Sequence, residues 1–144
     1  KLGVVLWQFP PDFKPDHGKL QEFIDILSTY KVRNAFEFRD KNWITKKTMS
    51  ILEKSNMALC IVESPETPDT PHHVTADFAY VRMQGPCIEE KEHSRYTVDH
   101  LKTDARIINK LMKEAREVFI YFGNDACGHA PRNAKELKDL LKKT

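Results

Sequence analysis

Apolar positions along this chain fall into short unbroken runs that alternate with longer stretches of helical period. Residues 3–9 are almost continuously apolar, as expected of a parallel strand buried on both faces. Leu20, Phe23, Ile24 and Leu27 then recur at helical spacing. Arg33 to Arg39 reads as a second strand with Ala35, Phe36, Glu37 and Phe38 at its centre. A second helix is predicted from about Thr45 to Ser55, with Thr45 as its N-cap and Met49 and Leu52 on one face. Met57 to Val62 is a third apolar run. The segment from Glu63 to Asp77 holds Pro65, Pro68 and Pro71 and has no helical period. It reads as an irregular connection, longer than the roughly 2–6 residues usual in such units, and long connections of this kind often carry function.

Phe78 to Met83 is a fourth strand, stopped by Gly85-Pro86 and followed by a charged loop through Arg95. Thr97 reads as the cap of a long helix whose apolar stripe is Val98, Leu101, Ala105, Ile108, Met112 and Ala115. Glu117 to Phe122 is a fifth strand. A last helix is predicted to start near Pro131 and to bury Ala134, Leu137 and Leu141. The order β-α-β-α-β-loop-β-α-β-α implies a parallel sheet covered by helices. Right-handed crossovers leave two architectures, a doubly wound sheet or part of a (β/α)8 barrel.

Composition narrows the class. A chain of 144 residues suits a single domain, and 40% hydrophobic with 31% charged residues is an ordinary globular mixture. No run approaches the ~20 apolar residues that span a bilayer. A formal net charge of +2 is not the footprint of an obligate nucleic-acid binder. The three cysteines, Cys60, Cys87 and Cys127, are odd in number and lack CxxC spacing, which argues against a disulfide framework or a structural zinc site. The expected compartment is a reducing cytoplasm.

In either architecture the chemistry gathers beyond the carboxyl ends of the strands. Polar side chains replace apolar ones at all five ends: Gln8; Glu37, Arg39 and Asp40, with Trp43 following; Glu63 and Ser64; Arg82 and Gln84; and Tyr121, Asn124 and Asp125, with His129 following. Glu37 is the sharpest signal. It lies between two phenylalanines inside an apolar strand, and alternation puts it on one face with Arg39. A buried carboxylate must be paired or protonated, so Glu37 is either half of a structural ion pair with Arg39 or Arg82, or an acid/base or ligand-binding group. Tyr80, Arg82 and Gln84 share a face, and a guanidinium there suits a phosphate or carboxylate. Residues 121–130 form a glycine-punctuated strand-to-helix turn, read as a plain tight turn or as an anion cradle. Trp43 is a stacking wall or a rim-packing residue. His72 and His73 are adjacent and point apart, no HExxH or clustered DxD occurs, and no metal ligands are assigned. Cys87 has no visible histidine partner for a nucleophile role.

Six segments together resemble one family. These are Leu2–Pro11; Ala35–Arg39 with Trp43; Met57–Ile61 through Ser64-Pro65; Thr75–Arg82; Tyr96 with Leu101; and Tyr121–Asp125 through Ala130 with Asn133-Ala134. In this order they are similar to the DUF72 (YecE-like) family and cover nearly the whole chain. The resemblance implies a TIM-barrel fold, with residues 1–144 as one domain forming the C-terminal part of the barrel, about five strands from the fourth onward. Five strands do not close an eight-stranded barrel, so the expectation is either that the remaining strands are missing from this sequence or that a partner, by self-association, covers the open edges. Glu37, Arg39, Trp43, Tyr80, Arg82, Asn124 and Asn133 match the family pattern. Gln84 stands where the family has His, Gly123 where it has Asn, and Asp40 where His is common.

The leading functional expectation is a phosphate-ester hydrolase, nuclease-like, with a polar pocket at the carboxyl ends of the strands. Glu37 would be its catalytic acid/base or metal-orienting carboxylate. Arg39, Trp43, Tyr80, Arg82, Gln84, Tyr121, Asn124 and Asn133 would bind the substrate. The alternative is a non-catalytic module that binds an anion, a nucleic-acid backbone or a partner. The expected ligand is small and anionic or phosphate-containing, with nucleic acid as a weaker case and no membrane partner. No cofactor is assigned.

Overall fold

Five parallel strands and four α-helices build the chain in a computed structural model that describes residues 2–64, 70–86 and 94–142. They are β1 (Val4–Phe9), α1 (His17–Leu27), β2 (Arg33–Phe38), α2 (Lys46–Lys54), β3 (Ala58–Glu63), β4 (Phe78–Met83), α3 (Val98–Glu114), β5 (Glu117–Phe122) and α4 (His129–Leu141). Strand order in the sheet is the sequence order, β1-β2-β3-β4-β5, and every pairing is parallel. The elements are those predicted from periodicity. The segments 65–69 and 87–93, with Pro65, Pro68 and Cys87, lie outside the described residues.

Alternation along each strand divides the sheet into two faces. Val4, Leu6, Ala35, Ala58, Cys60, Val62, Phe78, Tyr80 and Phe119 pack together on one face. On the other, Phe36, Phe38 and Leu59 pack under Leu20, Ile24 and Leu27 of α1 and Leu52 of α2. Further along that second face Ile61, Ala79, Val81 and Met83 pack under Leu101, Ala105, Ile108 and Leu111 of α3 and Leu137 of α4.

The first face is concave. Arg33 opens β2 and Glu117 opens β5, and a flat sheet would hold those strands about 14 Å apart at the usual strand spacing. Their side chains nevertheless form an ion pair. The Arg33 guanidinium also lies 5.6 Å from the Phe78 ring centre and 5.5 Å from that of Phe119. The sheet is therefore curled as a barrel wall is, but it is not closed, and β1 and β5 are its edges.

That openness corrects the expectation for the first strand. The side chains of β1 are half-buried, with Gln8 exposed, because among the described residues nothing pairs with the strand on its outer side. Two helices are rotated relative to prediction. In α3 the inward positions are Leu101, Asp104, Ala105, Ile108 and Leu111, while Val98 and Met112 are 53% and 55% exposed. A straight helix crossing a twisted sheet does not hold one stripe against it from end to end. In α4 the inward positions are Ala130, Asn133 and Leu137; Ala134 faces solvent, and the helix begins at His129.

Asn133 fixes that rotation. Its Oδ1 accepts from the Tyr96 backbone N–H at 3.1 Å and from Asn124 Nδ2 at 3.0 Å. Its Nδ2 donates to the Tyr96 carbonyl at 3.1 Å and to Glu136 Oε2 at 2.9 Å. All four bonds available to a carboxamide are thus made. Tyr96 in turn uses its hydroxyl to accept from Gly85 N–H at 2.9 Å, which ties down the chain just after β4. Gly85 has φ +98°, and an added Cβ would meet the Ser94 carbonyl at 2.9 Å.

Two substitutions test this packing. Asn133→Ala strands several buried polar groups at about 1–3 kcal/mol each, so unfolding in urea should shift to clearly lower denaturant and the Tyr96 amide should lose exchange protection. Trp43 is wholly buried, stacks on Phe38 at 4.9 Å and donates from its indole nitrogen to the Phe13 carbonyl at 2.8 Å. Trp43→Ala should cost about 3–5 kcal/mol in the same measurement.

Candidate functional site

Polar side chains take over from the apolar core at the carboxyl-terminal end of the concave face. The register places Gln8 of β1 directly beside Glu37 of β2, and Arg82 of β4 beside Tyr121 of β5. Pairing between β2 and β3 covers only Ala35 with Ala58 and Phe36 with Leu59. Above that point the two strands part, and Glu37 lies at the parting.

Glu37 is completely buried. Its Oε1 accepts from Gln8 Nε2 at 2.7 Å and from Arg39 Nε at 3.3 Å. Its Oε2 pairs with Arg82 Nη1, reaching across β3 to do so, and lies 4.0 Å from the Cys60 thiol sulfur. Both predicted arginine partners of Glu37 are therefore its partners here. The carboxylate is sealed while the arginine side chains are not: that of Arg39 is 41% exposed and that of Arg82 24%. Two positive charges around one negative charge leave the rim with one unit of positive charge.

Two tyrosines extend the same surface. Tyr80 is buried and stacks on Tyr121, ring centres 5.1 Å apart, and Tyr121 is 47% exposed. Burial, with Tyr121 beside it, pushes the Tyr80 hydroxyl up to about 12, so it stays a neutral donor. Burial, then the Glu37 charge, raises the Cys60 thiol well above its usual range, the opposite of an activated nucleophile.

The other predicted residues lie elsewhere. Trp43 packs among Phe9, Phe13, Phe38 and His17 on the helix-covered face. Asn124 donates to the Ser94 carbonyl at 2.9 Å and to Asn133, and together they hold the 94–97 segment against α4. Gln84 follows β4, where its N–H donates to the Glu63 carbonyl at 3.0 Å and its buried side-chain nitrogen has no hydrogen-bond partner. At Gly123 an added Cβ would come no closer than 4.0 Å to its neighbours, so a larger residue fits there. Asp40 caps the turn Lys41–Trp43 through Asn42 N–H at 2.9 Å and pairs with Lys14 at 2.9 Å. That backbone bond, and then Lys14, lower its pKa. Among the described residues no three His, Cys, Asp or Glu side chains are placed to hold a metal ion, and no helix is long and apolar enough to cross a membrane.

A second acidic group joins Glu63, one of the five polar strand ends, to Asp104, which the strand ends do not reveal. Glu63 ends β3 on the helix-covered face, and Asp104 projects from the inner side of α3. Both line a cavity of about 520 Å³ between that face and α3. Desolvation, reinforced by Asp104, raises Glu63 to about 7, and desolvation raises Asp104 to about 6. Asp104 could have been noticed, since it falls in phase with Leu101, Ala105 and Ile108 as a charge inside an apolar stripe.

The architecture has known relatives. A crystal structure of a DUF72 family protein from Thermotoga maritima superposes with a TM-score of 0.83 at 27% identity, covering 98% of this chain and 58% of that one. A DUF72 family protein from Enterococcus faecalis superposes at 0.82 with 22% identity, which speaks to the fold alone. The UPF0759 protein YunF of Bacillus subtilis is 25% identical over 168 aligned residues, which span 98% of this chain and 58% of YunF. The chain thus spans less than two thirds of the length of these relatives. The profile of the family described as "Protein of unknown function DUF72" matches residues 1–144, and the chain belongs to that family.

Proposed function

We propose that the chain binds a phosphate-bearing anion at the carboxyl-terminal rim of its concave face, held by Arg39 and Arg82. One observation carries this reading: a wholly buried Glu37 grips each arginine by a different oxygen, while both arginine side chains stay partly exposed. Burying a carboxylate costs several kcal/mol unless it is well paired. Glu37 meets that condition, and in doing so it holds two otherwise flexible cations in fixed positions. Preorganised guanidinium groups suit phosphate because their forked donors match two oxygens at once. Gln8 and Tyr121 border the same mouth and supply neutral donors.

With both oxygens engaged, Glu37 acts here as a positioning residue and not as the general base. Phosphate-ester hydrolysis is compatible with this arrangement, since the arginines would hold the phosphoryl oxygens and stabilise charge as it develops. A water-activating group would then come from outside this cluster. Binding without turnover uses the same contacts and asks nothing further of the site.

Inorganic phosphate titrated into the intact protein should bind, and Arg39→Gln should weaken it by about tenfold or more, the worth of one charge-assisted contact. Arg82→Gln should do the same. Affinity unchanged in both variants removes the reading. Glu37→Gln should lower stability by about 3 kcal/mol, because it leaves two arginines without their shared counter-charge, and should weaken phosphate binding through their disorder. Turnover of p-nitrophenyl phosphate or its bis-ester by the intact protein, lost in Arg82→Gln, would assign hydrolysis. Binding without turnover would assign the module.

A further inference from the structure

The other face of the sheet carries a separate feature. Helices follow β1, β2, β4 and β5, but β3 runs to β4 without one among the described residues. Among the described residues no helix covers β3 and β4 beside α3, and the cavity of about 520 Å³ lies there. Its apolar walls include Ile61, Val81 and Met83 from the sheet and Ile107 and Leu111 from α3. The volume lies in the range of small-molecule sites.

Asp104 makes this more than a packing fault. It sits on the buried face of α3 at 8% exposure, among residues that are otherwise apolar. Its Oδ2 is buried without a hydrogen-bond partner, and the residue lines the cavity. An orphaned carboxylate oxygen is among the most costly groups to bury. A leucine at this position would simply have joined the core. Glu63 faces the same space from β3, and Ser64, Thr70 and Thr103 add hydroxyl groups. No lysine or arginine occurs among the described lining residues. The titratable groups around Asp104 are Glu63 from β3, Tyr96 before α3, His100 one turn earlier on α3 and His72 across the cavity.

We infer that this cavity is a binding site for a small organic cation, a primary ammonium on a short aliphatic chain, with Asp104 and Glu63 as its counter-charges. An ammonium brings three donors and no acceptor, which suits an orphaned oxygen beside a second carboxyl. The aliphatic chain suits the apolar remainder of the walls. A hard metal ion would call for about six oxygen ligands, and the described residues hold no such group. The site is distinct from the arginine rim, on the opposite face of the sheet and of opposite charge.

The raised carboxyls agree with this geometry and set a pH signature. A cation favours the ionised carboxylates, so binding should release protons at pH 7 and strengthen from pH 6 to pH 8, across the value of about 7 for Glu63. An alkylammonium remains charged throughout that window.

The test uses the intact protein with n-butylammonium as probe and n-butanol as its neutral counterpart, followed by calorimetry and by amide shifts of α3. Butylammonium should saturate with proton release, butanol should bind at least tenfold more weakly, and Asp104→Asn should weaken butylammonium at least tenfold. Ile107→Phe, which fills the cavity and leaves both carboxyls, should abolish binding even if Asp104→Asn compromises folding. Equal binding of the alcohol would make this a merely apolar cleft and overturn the inference. So would unchanged affinity in both variants, saturation by calcium but not by butylammonium, or no saturable binding of butylammonium at about 10 mM, ten times a millimolar Kd.

Discussion

A carboxylate with no solvent contact has to be answered inside the protein, and Glu37 organises the upper half of the sheet by that requirement. Its partners come from β1, from the residue just past β2 and from β4. Strand pairing alone would leave β2 and β4 linked only through β3, and β2 pairs with β3 at just two positions. The Arg82 contact to Glu37 ties β2 to β4 directly where that pairing has lapsed. At the other end of the concave face the Arg33 contact to Glu117 ties β2 to β5. Two charge pairs, one at each end, thus hold the curl that backbone hydrogen bonding by itself leaves open. The curl brings the arginines together, so the same interaction serves both the fold and the mouth.

Much of this was readable from spacing. Alternation placed Glu37 with Arg39 and Tyr80 with Arg82, because a strand has one side-chain period whatever surrounds it. The parallel strands and their helices followed from the switch between apolar runs and helical periods. Spacing offers Arg39 and Arg82 as alternative partners for Glu37 and does not say that both serve at once. Nothing in the order of residues says that Arg82 leans over β3, since this depends on how tightly the sheet curls. Trp43 shows the same limit: a tryptophan just beyond a strand end serves equally as ligand wall or as packing, and the aromatic cluster formed by Phe9, Phe13 and Phe38 decides for packing. Asn124 and Asn133 were grouped with the binding residues on resemblance, and their hydrogen bonds instead tie the segment after β4 to α4. A single charge in a helical stripe, such as Asp104, does not announce itself in the sequence, and only the packing of α3 against β3 and β4 shows it inside.

The edges place a constraint of their own. β1 and β5 each leave one row of backbone donors and acceptors unpaired within the sheet, and exposed edges invite further strands. Gln8 and Tyr121, two exposed members of the polar rim, stand on those two strands. The rim is therefore best ordered at its centre, around Glu37 and Arg82, and most open where the sheet could be extended.

The two faces of the sheet differ in how they deal with buried charge. On the concave face the carboxylate is matched by two guanidinium groups, and the surplus is positive and open to solvent. On the helix-covered face buried Asp104 and the more exposed Glu63 have no lysine or arginine among the described lining of their cavity, and their raised pKa values express the cost of that arrangement. Burial alone does not select such a pair, since apolar residues would fill the space more favourably. A carboxylate retained without a lysine or arginine partner, beside a cavity, costs stability as pH rises through the range from about 4 to 7 in which the folded state still holds the proton. An occupant carrying positive charge reverses that cost, whereas a neutral one leaves it in place. On electrostatic grounds alone, then, the two faces should favour ligands of opposite sign.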